Sequence, residues 1–308
     1  MVEKLNLIRI QCFLLFICIS AFSFDFRSLV TKPQDQKNGL RIHTELQSAL
    51  QSSLNLGLVV SKSEKDAILF SARQQYLKFT PATSVVSDLK EYQGGLTYLH
   101  LNPSGNLWSL GATFGSASDE PFKDSSVNTI GSTFSYLWPE ENSNYWLFLV
   151  NYSNNRPLLN GIPLPGLVYG YQSSPQFRAN FGVPFTTLNW EFVDRWTLNI
   201  FTLMPWVGKL QVGYRLFGPF QVYSALEFFQ VTFLQFGRPN LKERIYFDER
   251  RLFLGVKGPI SQSIFVELEG GYCLRRRIFS AESYSRDPSV FQDLGETGFA
   301  RLSFSVSL

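Results

Sequence analysis

The last nine residues, Ala300-Arg301-Leu302-Ser303-Phe304-Ser305-Val306-Ser307-Leu308, carry an apolar side chain at every even position and a polar one at every odd position. A repeat of two sends the two sets to opposite faces of a strand. The pattern returns along the chain. Trp108, Leu110, Ala112 and Phe114 alternate with Ser109, Gly111 and Thr113, and Trp146, Phe148, Val150 and Tyr152 share one face. Leu210, Val212, Tyr214 and Leu216 oppose Lys209, Gln211, Gly213 and Arg215; Ile264, Val266, Leu268, Gly270 and Tyr272 oppose Glu267, Glu269 and Gly271. One such run would suit a half-buried soluble sheet, but repeated runs of about ten residues are the cumulative pattern of a transmembrane barrel.

Composition sharpens the choice. Aromatic residues make up 16% of the chain and charged residues 17%, against about 25% charged in soluble domains. No stretch beyond residue 23 stays apolar long enough for a helical span, which needs about 20 residues. In lipid, such a chain must satisfy its backbone from strand to strand.

The first residues have the build of an export signal: Lys4 and Arg9, an apolar run from Cys12 to Phe22, and small residues at Ala21 and Ser23. Cleavage after Ser23 removes Lys4, Arg9, Glu3, Cys12 and Cys18. It leaves 26 basic and 24 acidic side chains of the original 28 and 25. That near balance gives no support to a nucleic-acid partner, and Cys273 alone cannot form an internal disulfide. The polar stretch that follows predicts a flexible periplasmic leader over 24–47, ahead of a barrel domain over 48–308.

The expected fold is all-β: a single antiparallel transmembrane barrel of about fourteen strands, with a range of ten to sixteen. Runs at 68–79, 92–102, 106–115, 127–137, 144–152, 165–172, 175–182, 185–192, 195–204, 208–216, 220–233, 245–257, 262–277 and 298–308 give the even number that closure needs. Pro184 and Pro205 mark turns, bulges or kinks, because proline cannot donate to a ladder. A strand in 50–60 paired with one near 39–48 would raise the count to sixteen. Short turns at 103–105, 217–219 and 258–261 predict the periplasmic end. Longer segments at 80–91, 116–126, 153–163, 234–244 and 278–297 predict outer loops.

The polar faces supply a candidate lumen network of Lys209, Arg215, Glu227, Glu267, Glu269 and Arg301, since charge on a lipid face is costly. Such a network either plugs the lumen or lines a water-filled pore. The run Arg275, Arg276 and Arg277 falls near the outer end of a strand. It is a candidate for rim contacts with lipid phosphates, though a solvated rim is the commoner use of such a run. Aromatics gather near strand ends, among them Phe79, Tyr92, Trp138, Trp146, Trp190, Trp196, Trp206, Tyr246 and Phe247, as an interfacial belt would require.

The segment Asn160-Gly161-Ile162-Pro163-Leu164-Pro165-Gly166-Leu167-Val168-Tyr169-Gly170-Tyr171 pairs a compact bend with a Gly/Tyr strand. Together with Phe181-Gly182-Val183-Pro184-Phe185, it resembles an uncharacterised family of bacterial outer-membrane β-barrels, over roughly Gln47 to the end. The resemblance implies fold and location. That family brings no ligand or reaction, so no residue role is carried over. Leu308 departs from the terminal Phe usual in such barrels.

Chemical constellations are sparse. His43 lies near the leader, and His100 stands between Leu99 and Leu101 with no carboxylate nearby in sequence. There is no HExxH, Gly-x-Ser-x-Gly or phosphate loop, and one mature cysteine with two separated histidines does not make a zinc site. Asp119, Glu120 and Asp124 lack EF-hand spacing. We expect no cofactor, metal or catalytic residue. The expected function is a non-enzymatic outer-membrane barrel of a Gram-negative bacterium, either a small pore or a structural envelope protein. Its expected partners are outer-membrane lipids, the barrel-assembly machinery and small polar solutes. A lipid-modifying enzyme and a surface-binding or adhesion barrel are the alternatives.

Overall fold

Alternation becomes structure through strand pairing. The computed structural model describes residues 35–46, 49–80, 82–140, 143–157, 159–203, 207–284 and 287–307; the expected signal at 1–23 and Pro205 lie outside them. The strands in chain order are β1 (Gly39–Leu46), β2 (Ala49–Lys62), β3 (Asp66–Phe79), β4 (Asp88–Leu101), β5 (Leu107–Ser118) and β6 (Asn128–Pro139). They continue with β7 (Tyr145–Ser153), β8 (Leu164–Ser174), β9 (Phe177–Val183), β10 (Phe185–Val193), β11 (Trp196–Leu203) and β12 (Val207–Arg215). The last are β13 (Gln221–Phe233), β14 (Arg244–Pro259), β15 (Ile264–Ala281), the short β16 (Val290–Asp293) and β17 (Thr297–Ser307).

From β2 to β16 each strand pairs antiparallel with the one before it, β15 also pairs with β17, and β17 pairs with β1 from Gly39↔Ser307 to Leu46↔Ala300. The ring is therefore closed by sixteen strands, with β16 a separate ribbon on the end of β15. Closure leaves no edge whose N–H and C=O groups would face lipid. The two strands beyond the expected fourteen are β1 and β2. β1 takes eight residues from the stretch expected as a leader, because Arg41, His43 and Glu45 point inward to partners far away in sequence.

The long connections all lie at one end. The end holding Gly39 and Ser307 carries tight turns, such as Asn102–Asn106, where Gly105 takes φ +89° and Asn102 N–H donates to Asn106 O at 2.8 Å. The opposite end carries 80–87, 119–127, 154–163, 234–243 and 282–296, in the arrangement expected from sequence. Strands run further than expected, so Asp88–Glu91 and Ile278–Ala281 belong to β4 and β15. Pro184 is the turn between β9 and β10, which pair over only four positions, Asn180↔Thr187 to Phe177↔Trp190.

The outside of the ring is apolar. Leu96, Leu110, Phe134, Leu167, Leu254 and Leu268 are all exposed. In β12 the alternation holds as expected, with Leu210 and Val212 exposed and Lys209 and Gln211 buried. Trp108, Trp138, Trp146, Trp190 and Trp196 all lie in the halves of their strands nearer the tight turns. Trp146 packs on Tyr169 at 4.7 Å and Trp196 on Tyr214 at 5.1 Å. Amphipathic rings prefer the headgroup level, so this is one interfacial belt. Phe79 and Phe247 do not join a belt: they point inward and meet at 5.4 Å. Tyr246 is also buried, against Phe279 and Tyr284.

Candidate functional site: a filled lumen with a polar chamber

A ring of sixteen strands is wide enough for an aqueous channel; here the interior is filled. Along β12–β15, β17 and β1 the inward faces carry five carboxylates and five cations in ion pairs. Arg251 reaches Glu45 at 2.9 Å, and it also binds Glu249. Arg276 holds the other oxygen of Glu249 at 2.8 Å. Arg301 binds Glu269 and lies 3.2 Å from Glu227. Lys209 stands 3.5 Å from Glu269, and Arg41 stands 3.3 Å from Glu267. The Tyr223 hydroxyl is within hydrogen-bond reach of Glu267 at 2.7 Å and Glu269 at 2.5 Å. Aromatic faces fill the gaps: the Arg251 guanidinium lies 5.2 Å from the Phe229 ring centroid and Arg301 5.0 Å from that of Phe253. Buried charge is tolerated only when it is paired in this way.

Of the lumen candidates, the fold brings Lys209, Glu227, Glu267, Glu269 and Arg301 together. Arg215 shares their face but sits at the turn end of β12, more exposed, 3.2 Å from Glu191. Arg41, Glu45, Glu249, Arg251 and Arg276 complete the cluster and were not among the candidates. The signal for two of them was present, since Phe247, Glu249, Arg251 and Phe253 share one face of β14. The arginine run divides. Arg276 is not a rim residue but is buried in the lumen, and Arg277 pairs with Asp248. Arg275 alone of the three stays on the outer face without a carboxylate partner among the described residues.

Both ends of the lumen are closed. Toward the tight turns, Leu99, Leu107, Leu137, Leu147, Leu149 and Val168 form an apolar cluster with Phe185 and Phe201. At the loop end, Leu77, Phe79, Leu89, Phe233, Ile245 and Phe247 form another, reinforced by Val85 and Val86. Above it the end of β13 crosses the mouth. Leu234 N–H donates to Ala117 O at 2.8 Å and Phe236 N–H donates to the Asp119 carboxylate at 2.8 Å. Arg238 donates to Ser126 O at 2.7 Å. Asp124 caps the short 3-10 turn Ser125–Val127, and hydrogen bonds from Ser126 hold its carboxyl below the usual carboxylate range. Asp119 and Asp124 thus bind backbone N–H groups, and Glu120 pairs with Lys123 at 3.3 Å.

Between these closures lies a cavity of about 60 Å3 whose lining is evenly divided between polar and apolar surface. Its inward residues follow from period two. β5 runs Leu107, Ser109, Gly111, Thr113 and β7 runs Leu147, Leu149, Asn151, Ser153, apolar near the turns and polar near the loops. Thr113, Thr129, Thr133 and Asn151 line it, with Gln93 and the β13 end opposite. Gln93 Oε1, Asn155 Oδ1 and Thr232 Oγ are buried there without a hydrogen-bond partner. Glu91 is matched by Arg73 at 3.3 Å. The cavity therefore offers polar groups along one part of its lining and carries no unmatched charge among the described residues, with room on the order of four to six waters.

The histidines are placed as follows. His43 Nδ1 is 3.0 Å from Ser303 Oγ in the lumen. His100 has a carboxylate after all: strand register puts Asp66 opposite, at 2.8 Å, and Tyr98 donates to the same oxygen at 2.6 Å. This trio faces outward beside Trp108, at the turn-end belt.

A closed antiparallel ring with an apolar exterior, a Trp belt and interior charge defines the class: a membrane-spanning β-barrel. No family model matches the chain, and no curated protein matches it. Among solved structures, the chain is similar to the KdgM porin in complex with disordered oligogalacturonate, at 8% identity over 88% of this chain and 99% of that one, with a TM-score of 0.30. It is also similar to the toluene transporter TodX of Pseudomonas putida, at 9% identity over 94% of each chain and a TM-score of 0.37. The CymD monoaromatic hydrocarbon channel shows 12% identity over 94% of each chain and a TM-score of 0.41. The ring closes through the β1–β17 register.

Proposed function

We propose that the protein is a non-enzymatic outer-membrane channel in its closed state, passing small neutral polar solutes through the chamber on the β5–β7 wall. The observation that carries this reading is the chamber itself. Gln93, Asn155 and Thr232, whose side-chain oxygens are buried without a partner, line a cavity that holds on the order of four to six waters. A wall built only for packing would be apolar there, since a buried polar atom without a partner costs about 1–3 kcal/mol. Export through a cleaved signal, insertion by the barrel-assembly machinery and an outer-membrane lipid surround belong to the same reading. The buried carboxylates are engaged by cations, which favours a structural role for them over proton transfer.

The test is solute flux in vesicles. The intact barrel should be nearly silent, and replacing 235–242 with a Gly/Ser linker, together with Phe79→Gly and Phe201→Gly to breach the two apolar clusters, should open it to small polyols and amides. Retained silence in a folded loop variant would defeat the channel reading. It would favour a purely structural barrel, which the balanced ion network across the lumen also supports.

A further inference from the structure

The lipid-facing side of β14 and β15 is apolar up to one level. Ascending from the tight turns, β14 exposes Val256, Leu254 and Leu252, and β15 exposes Leu268, Tyr272 and Leu274. Directly above stand Arg250 and Arg275, facing each other in register. Like charges opposite one another on a sheet repel, and a packed protein supplies a counter-ion where it can. It has done so for the neighbours: Arg276 has Glu249, and Arg277 has Asp248. Arg250 and Arg275 have no carboxylate within ion-pair reach among the described residues. Arg250 is exposed, its guanidinium carbon 5.5 Å from the Phe228 ring centroid, which holds the fork over an apolar surface.

We propose that Arg250 and Arg275 form a binding site for a lipid-borne phosphate of the outer leaflet, the class presented by diphosphoryl lipid A. This rests on the outer-membrane reading above. The register supplies the geometry. Two planar forks set on adjacent strands suit a tetrahedral dianion approached from the side. The Leu252, Leu254 and Leu274 side chains below give its acyl chains an apolar wall. A β-bulge makes the pair possible. Arg251 pairs with Cys273 while Arg250 pairs with Arg275, so Leu274 is the extra residue and Arg275 turns outward where simple alternation would turn it in. A free phosphate offers the same charge but gains nothing from the apolar wall, so the lipid source is favoured.

The experiment is native mass spectrometry of the full-length folded barrel in detergent, titrated with diphosphoryl lipid A, with the dephosphorylated lipid, or with inorganic phosphate as competitor. A single diphosphoryl lipid should bind, with affinity falling about tenfold in R250Q/R275Q. R195Q, at the opposite rim, should bind as wild type does. Should the double variant fail to fold, R250Q and R275Q singly should each show a smaller loss. Unchanged binding in the folded variants, or equal binding of the dephosphorylated lipid, overturns the site. Displacement of the lipid by inorganic phosphate at comparable concentration reassigns it to a free anion and overturns the lipid claim. A chain that fails to insert into vesicles defeats the membrane reading, whereas an inserted barrel indifferent to the phosphate defeats only the site.

Discussion

The backbone N–H of Leu234, one residue past β13, donates to the carbonyl of Ala117 in β5 at 2.8 Å, although these strands stand eight places apart in a ring of sixteen. Diametrically opposed walls therefore touch at the mouth. The long β13–β15 extend past their neighbours and fold over. Their inward face, with Phe233, Ile245 and Phe247, then packs onto Leu77 and Phe79 across the lumen.

The latch should respond to Asp119. Its carboxylate accepts the Phe236 N–H at 2.8 Å, and one such bond contributes about 1 kcal/mol. In a barrel whose two apolar clusters are already breached by Phe79→Gly and Phe201→Gly, Asp119→Ala should raise polyol flux about fivefold in vesicle swelling. Asp194→Ala, in a turn at the far end, should leave flux unchanged. Equal flux in both would remove the latch from the pathway.

The ion network predicts an unequal pair of stability losses. Glu249 is fully buried between Arg251 and Arg276. Glu249→Gln should therefore cost about 3–5 kcal/mol, the usual result of breaking a buried pair. Arg215→Gln, at an exposed pair with Glu191, should cost less than about 1 kcal/mol. Urea titration in lipid vesicles, followed by band shift, separates them.

Orientation of β12 can be read with one side chain at two neighbouring positions. Val212→Arg places a charge on the exposed face, at about 2–4 kcal/mol near the midplane. Gln211→Arg places it in the lumen. Folding into vesicles should suffer more in the first, and the reverse order would show the strand to be inside out.

The bulge at Leu274 gives an unusual expectation. Deleting Leu274 removes the unpaired residue and leaves every other side chain on its own face, so the barrel should still fold. Deleting Leu268 instead sends Glu269 toward lipid and breaks its bonds to Arg301 and Tyr223. Heat-modified mobility on gels should be retained in the first deletion and lost in the second.

Much of this was already present in the residues. Period two determined the two faces of β12, β17 and of β15 up to Cys273, and turn chemistry at Asn102–Asn106 marked the end that carries the tight turns. These are local properties, set by the strand pleat and by φ/ψ preference. β1 alternates as well, yet it follows directly on the polar stretch that predicts a leader, and its inward residues are Arg41, His43 and Glu45. Their partners, Glu267, Ser303 and Arg251, lie more than 200 residues away, and only ring closure brings them near. The arginine run shows the same limit. Alternation alone would turn Arg276 toward lipid, whereas one extra residue opposite Arg250 and Arg251 turns it into the lumen. The closed mouth was likewise invisible, because it depends on strand length and bend across the full diameter. Local pattern determines which residues can face together; tertiary structure decides which of them meet, since buried charge must find its partner wherever the chain has placed it.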